Sequence, residues 1–384
     1  MALAAGGGAA FAQVKPIKVG QFFDLTGGGA TAAESAMLGT EVALKEIAAA
    51  GGIAGRPVQT VVADTQTDAT VGVGEMKRLV LQEKVDIIFG PIISQVLLAS
   101  APVLNEGKIT SIGGTGSEAI TPQAANFYFS VLINADSQAK AMVNQAADVL
   151  KAKSVAILSD SGAQAKSFVE SIKAELTARN IKLTGTQEYQ YRATDMTPQL
   201  LALKRGNPDT LLLFSSSGED VGNSLKSLQE LGWNVPVTGN YTVGAFAETA
   251  IKVAGKEAFK NVTGTNYRAF THCAGAPAPV PFSQFVAKAK ALKADAATRL
   301  SLPFAALFYD AVYLVKAAIE GTGGKTDGPS LTAWIEENAK NHKGILDNLT
   351  PSKTSHFLVG VNALTTVRPD RVQEGGVQER MTCS

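Results

Sequence analysis

Cysteine is nearly absent. The 384 residues hold two, Cys273 and Cys383, which form no CxxC and no metal-type spacing. Histidine is almost as scarce: His272, His342 and His356 lie in three separate segments, with no acidic or cysteine neighbour at ligand spacing. No HExxH, GxSxG or GxxxxGK[ST] occurs, so the signatures of zinc proteases, serine hydrolases and P-loop enzymes are missing. An excess of one charge is missing too. Lys and Arg number 35 and Asp and Glu 34, a net charge of +1. That balance excludes the basic footprint a nucleic acid demands, and no run of like charges marks a membrane surface. No stretch reads as a membrane span of ~18 apolar residues. Most acids stand on helical faces beside Lys, as in ALKEIAA (43–49), where solvated pairs are the ordinary role. The expectation is a protein without cofactor, metal or catalytic centre.

What is present is core-forming material: 45% of residues are hydrophobic, and 384 residues suit two domains. The first twelve residues carry no charge, and Ala10-Phe11-Ala12 fits an A-x-A cleavage site before Gln13. Residues 1–15 therefore read as the remnant of a secretory signal. The basic leader is missing and Gly6–Gly8 break the apolar run, so a disordered Ala/Gly tail is the other reading. In an oxidising compartment Cys273 and Cys383 would pair and tie the C-terminal tail to the loop near His272; two free thiols are equally compatible with the spacing.

Short apolar runs alternate with amphipathic stretches along most of the chain. The spacing predicts strands over 17–23, 58–64, 85–90, 109–114, 154–160, 210–216 and 236–241, and helices over 36–50, 71–83, 164–179 and 221–231. A helix pair, 281–293 and 304–320, precedes a β-rich ending at 355–367. The cycle restarts near Asn134–Ser137. This pattern predicts α/β architecture, with doubly wound parallel sheets whose strands are buried on both faces.

The stretch TGGGATAAES (26–35) poses the main chemical question, because Gly27, Gly29 and Ala32 fit a loose G-x-G-x-x-A dinucleotide fingerprint. Its partner fails. The carboxylate ending the second strand, Asp64, lies too far beyond Ala32 for a compact βαβ unit, and the helix is expected only after Ser35. Other polar clusters sit at carboxyl ends of expected strands: Ser94; Thr115, Gly116 and Ser117; Ser215–Ser217; and Asn240 with Tyr241. Ligands of open α/β sheets bind there, and hydroxyls and N–H groups at helix N-termini suit a carboxylate. Simple N-capping by Ser94 and Ser117 is the plainer role.

The ordered series IKVGQFFDLTG, MLGTEVALKEIAAAGGIAGRPVQTVVADTQTD, KVDIIFGPIISQVLLASAPVLNE, ITSIGGTG, FYFSVLINADSQAKAM, SVAILSD, TDMTPQLLALKRGNPDTLLLF and LQELGWNVPVTG resembles the leucine/isoleucine/valine-binding group of type I periplasmic solute-binding proteins of ABC transporters. The likeness covers roughly residues 16–345. It implies two doubly wound parallel-sheet lobes joined by three hinge crossovers, 16–133 with 265–344 and 134–264 with 345–384. It further implies a monomer in the periplasm that clamps a small carboxylate and presents the closed form to a membrane permease. The glycine stretch becomes a loop of the cleft.

Carried over residue by residue, the resemblance places the carboxylate seat at Ser94 and at Thr115, Gly116 and Ser117. The ammonium side is altered. The family's tyrosine after the first strand of lobe 2 falls at Gly162, its ammonium-pairing glutamate at Tyr241 beside Asn240, and a first-loop aromatic near Ala32. An aromatic that packs on the ligand is kept as Phe304. A buried ammonium without a carboxylate costs several kcal/mol. Glu219 is the nearest acid, and a solvated helix start is its ordinary role. Gly162 and Ala32 would enlarge the pocket while Tyr241 and Phe304 wall it, which suits an aromatic monocarboxylate such as a benzoate or phenylpropenoate. The alternatives are a branched-chain amino acid, a keto acid or a short amide, or a ligand-sensing domain.

Overall fold

A computed structural model describes residues 15–383. The expected signal segment and its A-x-A site lie outside the described residues. Strands β1 (Ile17–Phe23), β2 (Val58–Asp64), β3 (Ile87–Phe89), β4 (Thr110–Gly113) and β5 (Tyr128–Ser130) form a parallel sheet in the order β2-β1-β3-β4-β5. A second sheet is built from β6 (Ser154–Asp160), β7 (Lys182–Tyr189), β8 (Thr210–Phe214), β9 (Val237–Gly239) and β10 (Val262–Tyr267). Two further strands are β11 (Thr271–His272) and β12 (Leu364–Val367), and β13 is Gln378–Glu379. The second sheet runs β12-β10-β9-β8-β6-β7, with β12 alone antiparallel. β11 pairs with β13.

Both sheets share one winding. The chain leaves β1 outward to β2, then returns past β1 to β3; it leaves β6 outward to β7, then returns to β8. Right-handed crossovers put the successive helices on opposite faces. The loops after β1 and β3, and after β6 and β8, therefore splay apart at a switch point, where crevices form.

The interiors follow from composition. The strands β3, β4, β6 and β8 bury nearly every residue, as sheets covered on both faces require. Helix Leu302–Gly321 is long and apolar enough to cross a membrane, contrary to the sequence expectation; 83% of its most apolar stretch is buried inside the protein. It lies against helix Ala30–Ala49 at a close crossing. A Cβ on Gly39 would overlap the Ala305 carbonyl oxygen, so only glycine lets the backbones meet.

Several elements depart from the pattern reading. Helix Ala30–Ala49 starts directly after Gly29, not after Ser35, because its first turn is held across the cleft by tertiary contacts and Gly29 offers no side-chain cap. β7 and β10 were not expected as strands. β7 is an exposed edge, so it has no apolar run, and β10 is polar yet buried because its groups are bonded, as Asn266 Nδ2 is to Gln378 Oε1 at 2.7 Å. The ending at 355–367 yields only β12. Residues 356–358 instead add to the edge of β5, with Ser130 N donating to His356 O at 3.0 Å and Leu358 N donating to Ser130 O at 2.8 Å.

The chain crosses between the sheets three times, after β5, after β10 and before β12. The boundary expected at 264/265 falls inside β10, and 344/345 precedes the residues that extend β5. We propose lobes of 16–133 with 268–358 and 134–267 with 359–367. The tail beyond returns to β11, where a Cys273–Cys383 disulfide with Cα atoms 5.8 Å apart fastens it.

Candidate functional site

The loops of the two switch points face one another, and hydrogen bonds cross the seam. Thr31 Oγ1 donates to Glu219 Oε1 at 2.6 Å. Ser117 and Ser167 hydroxyls meet at 2.9 Å, and Glu118 N donates to Ser167 Oγ at 3.2 Å. Ser301 Oγ donates to the Ala245 carbonyl at 2.6 Å. Between the lobes lies a cavity of about 40 Å³ lined by Ala32, Ile92, Ile93, Gly114 and Phe304 from one side and Gln138, Gln164, Ser216, Asn240, Tyr241, Thr242 and Phe246 from the other, with Leu132 at the crossover.

The expected residues divide into three groups. Asn240, Tyr241 and Phe304 line the cavity, as does Ala32. Asn240 begins the short helix Tyr241–Ala245 and ties it to β8, its Oδ1 accepting from Ser215 N at 3.3 Å and its Nδ2 donating to Ser215 O at 3.0 Å. Tyr241 stands edge-on to Tyr267 with ring centres 5.0 Å apart, and its buried hydroxyl has no partner among the described residues. Phe304 is flanked by Phe246 at 5.5 Å and Phe308 at 5.4 Å.

Ser94 and Gly116 meet next to the cavity, while the neighbouring Ser117 turns its hydroxyl to Ser167 across the seam. Ser94 Oγ accepts from Gly116 N at 3.3 Å. Ser94 is the first residue of helix Ser94–Gly107 and does not cap it; the cap position is Ile93. A Cβ on Gly116 would collide with the Gln164 carboxamide, so the glycine is what lets this lobe-2 side chain lie on the seat. Thr115 is turned elsewhere. Its N–H and its hydroxyl both donate to the Tyr128 hydroxyl, at 3.2 and 2.9 Å.

Gly162 does not enlarge the pocket as expected. The Tyr191 hydroxyl fills the space where a Cβ would stand, so the room is taken by an aromatic from another loop. Glu219 is likewise no solvated helix start: Thr31 and Ser217 donate to its two oxygens, the latter at 3.1 Å. Gln138 and Gln164 were missed because the first comes from a crossover helix, which no strand-end rule flags, and the second lies two residues past the glycine chosen by motif. Tyr191 was missed because it follows β7, an edge strand with no apolar run to mark its end in the sequence.

The seam is acidic behind the cavity. Asp160 ends β6 fully buried, and burial pushes its carboxyl up to about 6 although Gly162 N and Ser216 N donate to it at 2.9 and 2.7 Å. Burial also lifts Asp220 to about 7, opposed by the N–H of Arg192 and reinforced by Asp160 and Glu219. In the first lobe, burial raises Asp24 to about 6, against a bond from Thr65. Among the described residues, no group of three or more His, Cys, Asp or Glu is placed to hold a metal ion.

Two α/β lobes with a cleft lined from both, at paired switch points, define a bilobal solute-binding protein. The chain belongs to the periplasmic binding protein family, whose profile matches residues 16–356. It is 24% identical over 322 residues to the Leu/Ile/Val-binding protein BraC3 of Rhizobium johnstonii, covering 84% of this chain and 83% of that one. Its fold matches the branched-chain amino acid transporter substrate-binding protein LivJ of Streptococcus pneumoniae in complex with isoleucine, with TM-score 0.79, 20% identity and coverage of 95% and 98%. It also matches an ABC-transporter solute-binding protein of Rhodopseudomonas palustris in complex with 3,4-dihydroxybenzoic acid, with TM-score 0.76, 21% identity and coverage of 92% and 93%. By family the chain is thus a periplasmic binding protein, which implies a periplasmic or extracellular location.

Proposed function

We propose that the protein captures an aromatic monocarboxylate and delivers it to a membrane permease. The observation that carries this reading is the cavity lining. It brings three aromatic rings, Tyr241, Phe246 and Phe304, and no Asp, Glu, Lys, Arg or His. A ligand ammonium would be buried there unpaired, at a cost of several kcal/mol. A flat ring would stack on those faces, worth about 0.5–1.5 kcal/mol beyond its buried area. The carboxylate would take the seat at Ser94, Gly116 and Ser117, held by neutral donors at a helix start.

Size sets a condition. A cavity on the order of 150 Å³ takes a benzene ring, whereas this one is about 40 Å³. Binding therefore requires the lobes to part and the Gln164 carboxamide to leave the seat, which hinge motion permits.

Glu219 favours a second reading. It stands at the rim, bonded to Thr31 beside Ala32 and to Ser217 beside Ser216. A ligand ammonium that displaced Thr31 would find a counter-charge there, as an amino acid needs. Calorimetric titration with benzoate, cinnamate, leucine, isoleucine and valine separates the two. Aromatic acids are expected to bind, and Ser94→Ala with Ser117→Ala to weaken them by about 1.5–3 kcal/mol, the range for hydrogen bonds to a charged group. Micromolar binding of the amino acids alone, lost in Glu219→Gln, would replace this reading with the second.

A further inference from the structure

Tyr191 follows β7 and does not line the cavity, yet its side chain packs along the seam between two glycines. On the first-lobe side its Cβ and ring lie against the bare face of Gly28, where an added Cβ would sit 3.7 Å from Tyr191 Cβ and 3.9 Å from the ring. On its own side the hydroxyl occupies the place a Gly162 side chain would need, with ring Cζ 3.2 Å from that position. The Gln95 and Ser216 side chains lie at the phenol oxygen. Gln95 belongs to the helix that begins at Ser94, and Ser216 lines the cavity. The Asp160 carboxylate fixes the floor by accepting from both Gly162 N and Ser216 N, at 2.9 and 2.7 Å. The phenol itself is pushed well above its ordinary range by burial and by Asp160, so it stays a neutral donor.

We propose that Tyr191 is the positioning residue that holds the lobes shut, a phenol ring that lies on Gly28 across the seam and has room for its hydroxyl only because Gly162 lacks a side chain. The proposal rests on the cleft being the ligand site but not on which ligand fills it. Tyr191 can reach Gly28 only when the lobes are together, so its contacts stabilise the closed form and are lost on opening. Its ring area and its hydroxyl act on closure while the cavity residues act on ligand choice. A ligand would then owe its dwell time partly to a residue it does not touch.

The steric relation gives a test that a merely structural role would not satisfy. Distances between the lobes are measured by double electron–electron resonance, with spin labels on cysteines replacing the exposed Glu106 and Lys204. Wild type, Tyr191→Ala, Gly162→Ala and the Gly162→Ala/Tyr191→Phe double variant are compared in buffer, with benzoate and with isoleucine. The closed, short-distance population is expected to fall several-fold in Tyr191→Ala and in Gly162→Ala. It should recover in part in the double variant, because losing the hydroxyl removes the closest overlap and leaves Asp160 Oδ1 at 3.0 Å and ring Cζ at 3.2 Å to give by a few tenths of an ångström. Should Gly162→Ala disturb β6, seen in circular dichroism, Tyr191→Ala and Tyr191→Phe alone decide, the first opening the lobes more than the second. Superimposable distributions in all proteins and conditions overturn the proposal, as does a Gly162→Ala opening that Tyr191→Phe leaves uncorrected in a folded protein. Failure of both probes to shift the wild type would count against the ligand readings only, since the variants still differ in buffer if the lock is real.

Discussion

Asp160 shows how one residue at the site couples position to pH. It is fully buried, and burial outweighs two N–H donors to hold its pKa at about 6. An unfolded aspartate titrates near ~3.9, so the folded chain binds the extra proton between roughly pH 4 and 6. A raised folded pKa stabilises fully below the unfolded value, and that contribution is lost as pH rises through the folded one. A shift of about two units corresponds to about 3 kcal/mol. Asp24, at about 6, and Asp220, at about 7, act with the same sign. Glu34 is opposite: its bonds from Arg299, then Lys293, hold it at about 2, so its contribution fades only as pH falls below the usual range. Urea unfolding at pH 4, 5, 6 and 7 is expected to show stability falling toward neutrality. Asp160→Asn should flatten that fall, and an unchanged slope would refute the raised carboxyl.

At the scale of elements, the crossing of helices Ala30–Ala49 and Leu302–Gly321 joins the first βα unit to a segment that returns nearly 270 residues later in the chain. Gly39 sets how close they come, because the Ala305 carbonyl stands where its Cβ would be. Forcing a methyl into such a contact costs about 1–3 kcal/mol. Gly39→Ala is therefore expected to lower the unfolding free energy by that amount, and wild-type stability in urea would mean the helices separate freely. The same crossing places Phe304, two residues into its helix, at the cleft. Its hydroxyl-capped start, Ser301 Oγ accepting from Phe304 N at 3.2 Å, fixes the ring beside Gly114.

At the scale of the whole molecule, closure and the C-terminal tail share one region. The tail crosses both lobes: Gln378 bonds Asn266, and Lys290 pairs with Glu374 at 2.6 Å. The Cys273–Cys383 bond fastens it across a sequence separation of 110. Loops of this size are associated with about 2–4 kcal/mol in practice. Replacing both cysteines by serine is expected to destabilise the protein by that much in denaturant unfolding and to expose residues beyond 367 to protease. Equal stability with and without the bond would show that β11 and β13 hold the tail alone.

The sequence by itself determined the alternation of strands and helices, since the periodicities of 2 and 3.6 are local, and β1, β2 and β6 fall on the residues read as strands. It also marked the strand ends at which Asn240, Tyr241 and Ser94 stand, because strand-end loops form crevices in any parallel sheet. Tertiary structure decided what these residues do. β7 and β10 escaped because an edge strand needs no apolar run and a buried polar strand needs partners remote in sequence. Gly162 reads as an open space until the fold supplies Tyr191, and Glu219 reads as a solvated charge until the other lobe supplies Thr31. Those outcomes depend on residues brought together in space, 29 apart in the chain in the first case and 188 apart across the two lobes in the second, and no local pattern carries such a distance.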